Sequence, residues 1–354
     1  MGEVKFMKGN EALAEAAIRA GMQGYFGYPI TPQSEVIEYL AMEEPNHNYC
    51  LLQAESEVAA VNMIYGATAA GARVWTTTSS PGFSLMQEGI SYIACAELPA
   101  VFVNVVRGGP GLGTIQPSQG DYFQATKGGG HGDYNVIAFA PNSVQEMVDH
   151  VAMAFELADK YRTPAMLLSD GAIGQMMEKV VLPDPKPYTP DKPWATTGKT
   201  PDRKRNIITS LYIQSETMEE KNHKLQAKYK KIKENEVRYE EYKIDDAEVI
   251  ISAFGLTSRI CKKTVDLARA NGIKAGLFRP ITVWPFPESQ IAALAAKSAT
   301  KFFISVEMNV GQMVYDIRLA VEGKKPVYFY GRQGGIIPTP DEVLGVIKGH
   351  LEKM

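Results

Sequence analysis

The chain is short of cysteine. Its 354 residues carry three thiols, Cys50, Cys95 and Cys261, far apart and odd in number. That excludes a disulfide framework and any local Cys-x-x-Cys metal or iron–sulfur site within this chain. Scattered, reduced thiols fit the cytoplasm. A long apolar run is also missing. None reaches the ~18 residues a membrane span requires, and the opening MGEVKFMKGNEALAEAA mixes acids and bases where a secretory signal would be continuously apolar. Charge of one sign is absent too. With 37 Lys+Arg against 40 Asp+Glu the formal net charge is −3, without the clustered basic excess of a nucleic-acid binder. What remains is an ordinary globular composition, long enough for two domains.

Short β-rich runs alternate with helical patterns. Strands are predicted at Gly24–Tyr28, Tyr49–Gln53, Arg73–Thr78, Ala100–Val106, Val136–Ala140 and Pro164–Ser169, with helices near 10–20, 32–42, 56–70, 82–95 and 143–160. Asn10 reads as a helix cap, Gly21 as a stop, Thr31-Pro32 as a cap with proline at the first helical position, and Ser143-Val-Gln-Glu146 as a capping box. Alternating βα order with nearly continuous apolar strands implies a parallel sheet covered on both faces. Pro183, Pro185, Pro187, Pro190, Pro193 and Pro201 then mark a linker. The Lys/Glu-rich stretch 215–243 follows, with Met218, Leu225, Tyr229 and Ile232 spaced for one face of a packed helix. A second α/β unit has strands at Glu248–Phe254, Lys274–Phe278, Phe302–Val306 and Pro326–Tyr330. Its helices fall near 257–271, 287–297, 310–322 and 340–352, the last opened by the capping box Thr339-Pro-Asp-Glu342. The expected division is 1–180, a linker and charged helical extension over 181–243, and 244–354.

Phosphate fingerprints fail. Arg107-Gly-Gly-Pro-Gly-Leu-Gly-Thr114 contains neither Gly-Lys-Ser/Thr nor a proper Gly-x-Gly-x-x-Gly, and Lys127-Gly-Gly-Gly-His131 does no better. Both are expected after strands, where ligands gather in open parallel sheets. Phe26-Gly-Tyr-Pro-Ile-Thr-Pro-Gln-Ser34 runs from a strand into a helix N-terminus suited to an anion. In Gln53-Ala-Glu-Ser-Glu57, Glu55 and Glu57 stand at a strand-to-helix junction before an Ala/Gly-rich helix. They are either complements to the helix dipole or carboxyls desolvated enough to hold a proton near neutrality. Arg107 ends an apolar strand and needs an anionic partner, either a structural carboxylate or a bound ligand.

Tyr28-Pro-Ile-Thr-Pro32, the Glu57…Gly66 spacing, Leu98-Pro-Ala-Val-Phe102, Arg107 and Arg279-Pro-Ile-Thr-Val-Trp-Pro285 together resemble the 2-oxoacid:ferredoxin oxidoreductases. The resemblance spans nearly the whole chain and is greatest to the α subunit of the branched-chain (2-oxoisovalerate) type. It implies an α/β fold of two domains, a pyrimidine-binding domain for thiamine diphosphate followed by a transketolase C-terminal-like domain. Glu57 matches the family's cofactor-activating glutamate, with Glu55 its rival. Pro29 and Ile30 would pass close to the cofactor. Thr31 and Arg107 match positions that meet the substrate's carboxylate and keto group, and the Gly-rich loop after Arg107, with Asp121, would form a wall of the active site.

The Gly-Asp-Gly…Asn pattern of a Mg2+–diphosphate site is absent, since Asp170-Gly171 leads into Ala-Ile-Gly. The resemblance therefore implies half of an active site. A β subunit would bring the diphosphate domain, Mg2+ and a [4Fe–4S] cluster. A γ subunit, a ferredoxin-like δ subunit, ferredoxin and coenzyme A would complete the system. The expected reaction is oxidative decarboxylation of 3-methyl-2-oxobutanoate to an acyl-CoA and CO2. The alternatives are the 2-oxoglutarate or pyruvate version of that enzyme, a catalytically silent scaffold subunit, and a nucleotide-binding module.

Overall fold

The computed structural model describes residues 2–189 and 191–354. Met1, first residue of the expected 1–180 unit, and Pro190, one of the six linker prolines, lie outside the described residues. The chain begins with β1 (Glu3–Lys8), which pairs antiparallel with β8 (Met177–Leu182) as a two-stranded ribbon. Between them run β2 (Gly24–Gly27), β3 (Cys50–Gln53), β4 (Val74–Thr78), β5 (Val101–Val106), β6 (Ile137–Phe139) and β7 (Ala165–Asp170). β4, β5 and β7 are buried along their whole length, as strands covered on both faces of a sheet are.

The main sheet has the order β12-β6-β7-β5-β4-β2-β3, parallel except for β12 (Thr282–Trp284). That last strand comes from the second half of the chain and closes the sheet beside β6. The second sheet, β14-β13-β10-β11-β9, is built from β9 (Tyr239–Tyr242), β10 (Val249–Ser252), β11 (Ala275–Pro280), β13 (Phe302–Glu307) and β14 (Val327–Gly331), with β9 antiparallel at its edge. The chain is thus α/β throughout, two sheets wrapped by helices.

Arg279, in the Arg279–Pro285 motif, joins the two units. It is 1% exposed at the end of β11 and donates to Glu146 of the helix Val144–Tyr161 (2.8 Å) and to Glu240 (3.1 Å). Thr282–Trp284 then crosses into the first sheet. The proline-rich stretch is strapped to the first unit by cation–π contacts, Arg73 3.6 Å from the Tyr188 ring centroid and Arg162 4.3 Å from that of Trp194. The charged helix Ser215–Asn235 buries Leu225, Tyr229 and Ile232, as its spacing predicts, and Glu97 gathers Lys221, Lys224 and Lys228.

Three capping expectations change. Asn10 lies inside the helix Gly9–Arg19, whose N-cap is Lys8, and its side chain reaches Pro32 and Glu35 instead. The second helix starts at Ser34 with Gln33 at the N-cap, so Thr31-Pro32 belongs to the preceding turn. Ser143 accepts from the Glu146 amide, but the Glu146 carboxylate turns to Asn142 and Arg279 rather than closing the box. Thr339 and Glu342 do form a complete capping box.

Candidate active site

Parallel strands put their carboxyl ends on one edge, and the loops after β2, β3, β4 and β5 all emerge there. The strand order reverses between β2 and β4, which opens the crevice where such sheets bind ligands. Four sequence segments converge on it.

The loop after β2 carries Pro29, Ile30 and Thr31. Pro29 and Ile30 are half-buried and Thr31 is exposed. Gln33, fully buried, anchors this turn. Its Nε2 donates to the Tyr28 carbonyl (3.3 Å), its Oε1 accepts from the Thr77 hydroxyl, and Thr77 is linked to the Tyr25 hydroxyl (2.8 Å). From the other side Asn10 Nδ2 (2.7 Å) and Gln175 Nε2 (3.2 Å) both donate to the Pro32 carbonyl. The turn is held by buried amides at both ends, which leaves Thr31 presented rather than packed.

The loop after β3 separates the two glutamates. Glu55 is exposed, whereas Glu57 is 5% exposed in the first turn of the helix Glu57–Ala69, behind the N-cap Ser56 that accepts from the Ala59 amide. Among the described residues no hydrogen bond or ion pair reaches the Glu57 carboxylate. Its neighbour is Gly82, in the first turn of the helix Ser80–Cys95 after β4. A Cβ on Gly82 would collide with Glu57 Oε1 and Thr78 Oγ1. The missing side chain lets the carboxylate lie close against this helix. Gly82 and Ser80 escaped the sequence reading. The available signal was Ser79-Ser80-Pro81-Gly82, a strand end followed by a proline-initiated helix.

Arg107 follows β5. Its Nη1 donates to the Thr31 carbonyl (2.9 Å) and its Nη2 to the Leu112 carbonyl (3.0 Å), so the structure does bring Thr31 and Arg107 together. The buried Nε has no partner, and the cation is neutralised by no carboxylate among the described residues. Ser80 bonds the Arg107 backbone at both N (3.1 Å) and O (3.3 Å), tying this loop to the helix that faces Glu57. Asp121 accepts from Asn104 Nδ2 (2.8 Å). Burial pushes its carboxyl above the ordinary value, against hydrogen bonds from Ser80 and Asn104.

Arg107, Asp121, Ser80 and Pro81 line a cavity of about 650 Å³ between the two units, whose far wall includes Met308, Asn309, Val310 and Gln312. Arg107 is the one cation among its described lining residues. Glu57 and Thr31 are not in that lining. Glu57 sits across the Ser80–Gly82 turn, and Thr31 at the Arg107 side.

Two other segments do different work. Lys127–His131 follows the helix Tyr122–Lys127 rather than a strand, and its loop is fastened onto the helix Ser80–Cys95 by Gln87 and Ser91. Asp170 caps the helix Gly171–Gln175 through the amides of Ala172 and Ile173, and burial raises its carboxyl to about 6. No group of three or more His, Cys, Asp or Glu among the described residues is placed to hold a metal ion.

Residues 15–243 match the family pattern "Pyruvate flavodoxin/ferredoxin oxidoreductase, thiamine diP-bdg", and 247–343 match "Pyruvate:ferredoxin oxidoreductase core domain II". The chain is 50% identical to the ketoisovalerate oxidoreductase subunit VorB of Methanothermobacter marburgensis, covering 97% of each chain. It is 37% identical to the 2-oxoglutarate synthase subunit KorA of Methanothermobacter thermautotrophicus, covering 98% of this chain and 99% of the relative. Among solved structures, it resembles the 2-oxoglutarate:ferredoxin oxidoreductase of Magnetococcus marinus, determined with 2-oxoglutarate, coenzyme A and succinyl-CoA. The TM-score there is 0.87 at 27% identity, covering 99% of this chain and 66% of that one.

Proposed function

The chain belongs to the 2-oxoacid:ferredoxin oxidoreductases, and we propose that it is the α subunit of a branched-chain enzyme acting on 3-methyl-2-oxobutanoate. The reaction is oxidative decarboxylation to an acyl-CoA and CO2, with electrons passed to ferredoxin. The observation that carries the substrate class is the cavity with a single cation. One guanidinium matches one carboxylate, and a dicarboxylate such as 2-oxoglutarate would call for a second buried charge. Phe123, Met308 and Val310 add apolar lining suited to a branched side chain. The 50% identity to a ketoisovalerate oxidoreductase subunit supports the same choice.

The residues present fit the pyrimidine end of thiamine diphosphate. Glu57 offers a buried carboxyl with no hydrogen-bond partner among the described residues, and Gly82 lets it approach the helix Ser80–Cys95 closely. When bound, the cofactor supplies an electron sink for the carbanion left by loss of CO2. Glu57 would hold the proton at the pyrimidine N1′. Pro29 and Ile30 shape the wall of the cofactor pocket. The Thr31 hydroxyl and Arg107 orient the 2-oxoacid through its carboxylate and keto oxygen, where negative charge develops.

This chain does not fit the other end of the cofactor. Asp170 is engaged as a helix cap, and among the described residues no acidic cluster replaces it. A β subunit therefore supplies the diphosphate domain, Mg2+ and a [4Fe–4S] cluster, with γ and ferredoxin-like δ subunits completing the complex. Three free thiols suit a reducing cytoplasm.

A substrate panel on the assembled complex tests the reading. kcat/KM should rank 2-oxoisovalerate and 2-oxoisocaproate above pyruvate and 2-oxoglutarate by at least about tenfold. A preference for 2-oxoglutarate would move the chain to the second reading, which the 37% identity to a 2-oxoglutarate synthase subunit favours.

A further inference from the structure

Arg107 itself is bonded to first-unit groups, but the loop that follows it is also gripped by the second unit. The segment Gly108–Gln116 folds back so that the Gly108 amide donates to the Gln116 carbonyl (2.9 Å), and Arg107 bridges Pro117. Just beyond, Ser118–Phe123 is bound to the second unit. The Gln119 amide donates to the Met308 carbonyl (3.0 Å). Its side-chain Nε2 donates to the Phe254 carbonyl (2.7 Å), and its Oε1 accepts from the Met308 amide (3.0 Å) and the Thr257 hydroxyl (3.3 Å). The Gln119 carbonyl accepts from Asn309 (2.9 Å) and that of Gly120 from Gln312 (2.6 Å), while the Ser118 hydroxyl donates to Met308 (3.1 Å). Gln119 is 3% exposed, so its own bonds lie out of solvent.

We propose that the second unit sets the position of Arg107, and that Gln119 is the positioning residue through which it does so. The side chain satisfies its amide entirely with second-unit groups, which makes it a strut rather than a hinge. Its neighbour Asp121 returns the connection to β5 through Asn104 (2.8 Å). A second grip lies on the same loop, since a Cβ on Gly335 would collide with Gln116. The loop carrying Arg107 is therefore clamped at Gln116 and at Gln119 by the second unit, and at Asp121 by the first. A shift of an ångström at this guanidinium is enough to weaken a bidentate grip on a carboxylate. The inference rests on the reading of Arg107 as the group that meets the 2-oxoacid carboxylate.

The test uses the assembled complex with wild-type, Gln119→Ala, Gln119→Glu, Thr257→Val and Arg107→Lys forms of this chain. Gln119→Ala should raise KM for 2-oxoisovalerate about tenfold with kcat within about twofold, and amides 108–117 should exchange hydrogen faster. Thr257→Val, which removes one of the four polar contacts of the side chain and main-chain amide, should show the same split at about two- to threefold. Gln119→Glu keeps the acceptor for Met308 but loses the donor to Phe254, and should fall between. If Gln119→Ala does not fold, the other two variants carry the test. A lowered Tm with unchanged KM and unchanged exchange at 108–117 would make Gln119 a merely structural residue and overturn the proposal. If Arg107→Lys also leaves KM unchanged, the reading of the site fails, and this inference with it.

Discussion

Each α/β unit buries a glutamate at the carboxyl end of its sheet, and the two are used in opposite ways. Glu307, at the end of β13, is fully buried, and its carboxylate accepts from the amides of Gln312, Met313 and Val314 and from the Ser305 hydroxyl. It completes the N-terminus of the helix Met313–Val321, whose free amides and dipole favour a negative charge. Glu57, after β3, is nearly as buried, yet the described residues offer it no donor, and a glycine stands where a side chain would fill the space. A buried carboxylate without partners is unfavourable for folding; under the proposed function the cofactor's pyrimidine is the partner that satisfies it. Burial alone does not separate structure from function. The bonds each group is left to make do.

The largest expected effect breaks this comparison if it fails. Glu57→Gln should lower oxoacid-dependent ferredoxin reduction by about 10²–10⁴-fold, with Tm nearly unchanged, since no protein contact is lost. Near-normal turnover would remove Glu57 from the cofactor's proton chemistry. Glu307→Gln should do the reverse. Losing charge-assisted bonds to three amides should cost about 2–4 kcal/mol in urea denaturation, while the kcat of the complex that still folds stays within about twofold. Gly82→Ala should fall between these two in character. Its methyl crowds Glu57, so activity should drop about tenfold with a smaller loss of stability.

The smallest effect sharpens the rule. His150 is also buried with an unpartnered atom, Nδ1, but its ring stacks on Phe139 with centroids 5.3 Å apart. Burial holds its pKa near 4, and Arg279 and Arg238 work in the same direction against Glu146. A folded value below the unfolded ~6.5 means that the unfolded chain binds the extra proton. The stability contributed by neutral His150 is therefore complete above pH 6.5 and lost as pH falls toward 4. Replacing it with phenylalanine should flatten the acid limb of Tm between pH 6.5 and 4 and leave kcat unchanged. A change in kcat would place it in the site.

Much of the fold was legible locally. β5 and β7 announce themselves as largely apolar runs, and the Thr339–Glu342 box marks its helix because all its partners lie within four residues. What was not legible depends on partners far away. β12 is three residues long and exists because Thr282 and Trp284 meet β6, nearly 150 residues earlier. β1 and β8 make a ribbon only with each other, from opposite ends of the first unit. At the site, motif matching singled out Glu57, Thr31 and Arg107, and burial then separated Glu57 from Glu55. Gly82, Gln33 and Gln119 carry no motif, because their importance lies in what stands next to them.

The sequence by itself determined the α/β class, the alternation of strands and helices, the family, and the residue types available for chemistry. Those follow from periodicity, turn chemistry and motif spacing, which are properties of neighbours along the chain. The tertiary structure decided which carboxylate is free and which is spent, that the Arg279–Pro285 motif joins the two units, and that the second unit grips the loop behind Arg107. Its three scattered cysteines were visible from the start, and so was the want of a metal motif. That Asp170 is consumed as a helix cap required the fold, since hydrogen-bond partners are settled by packing in space.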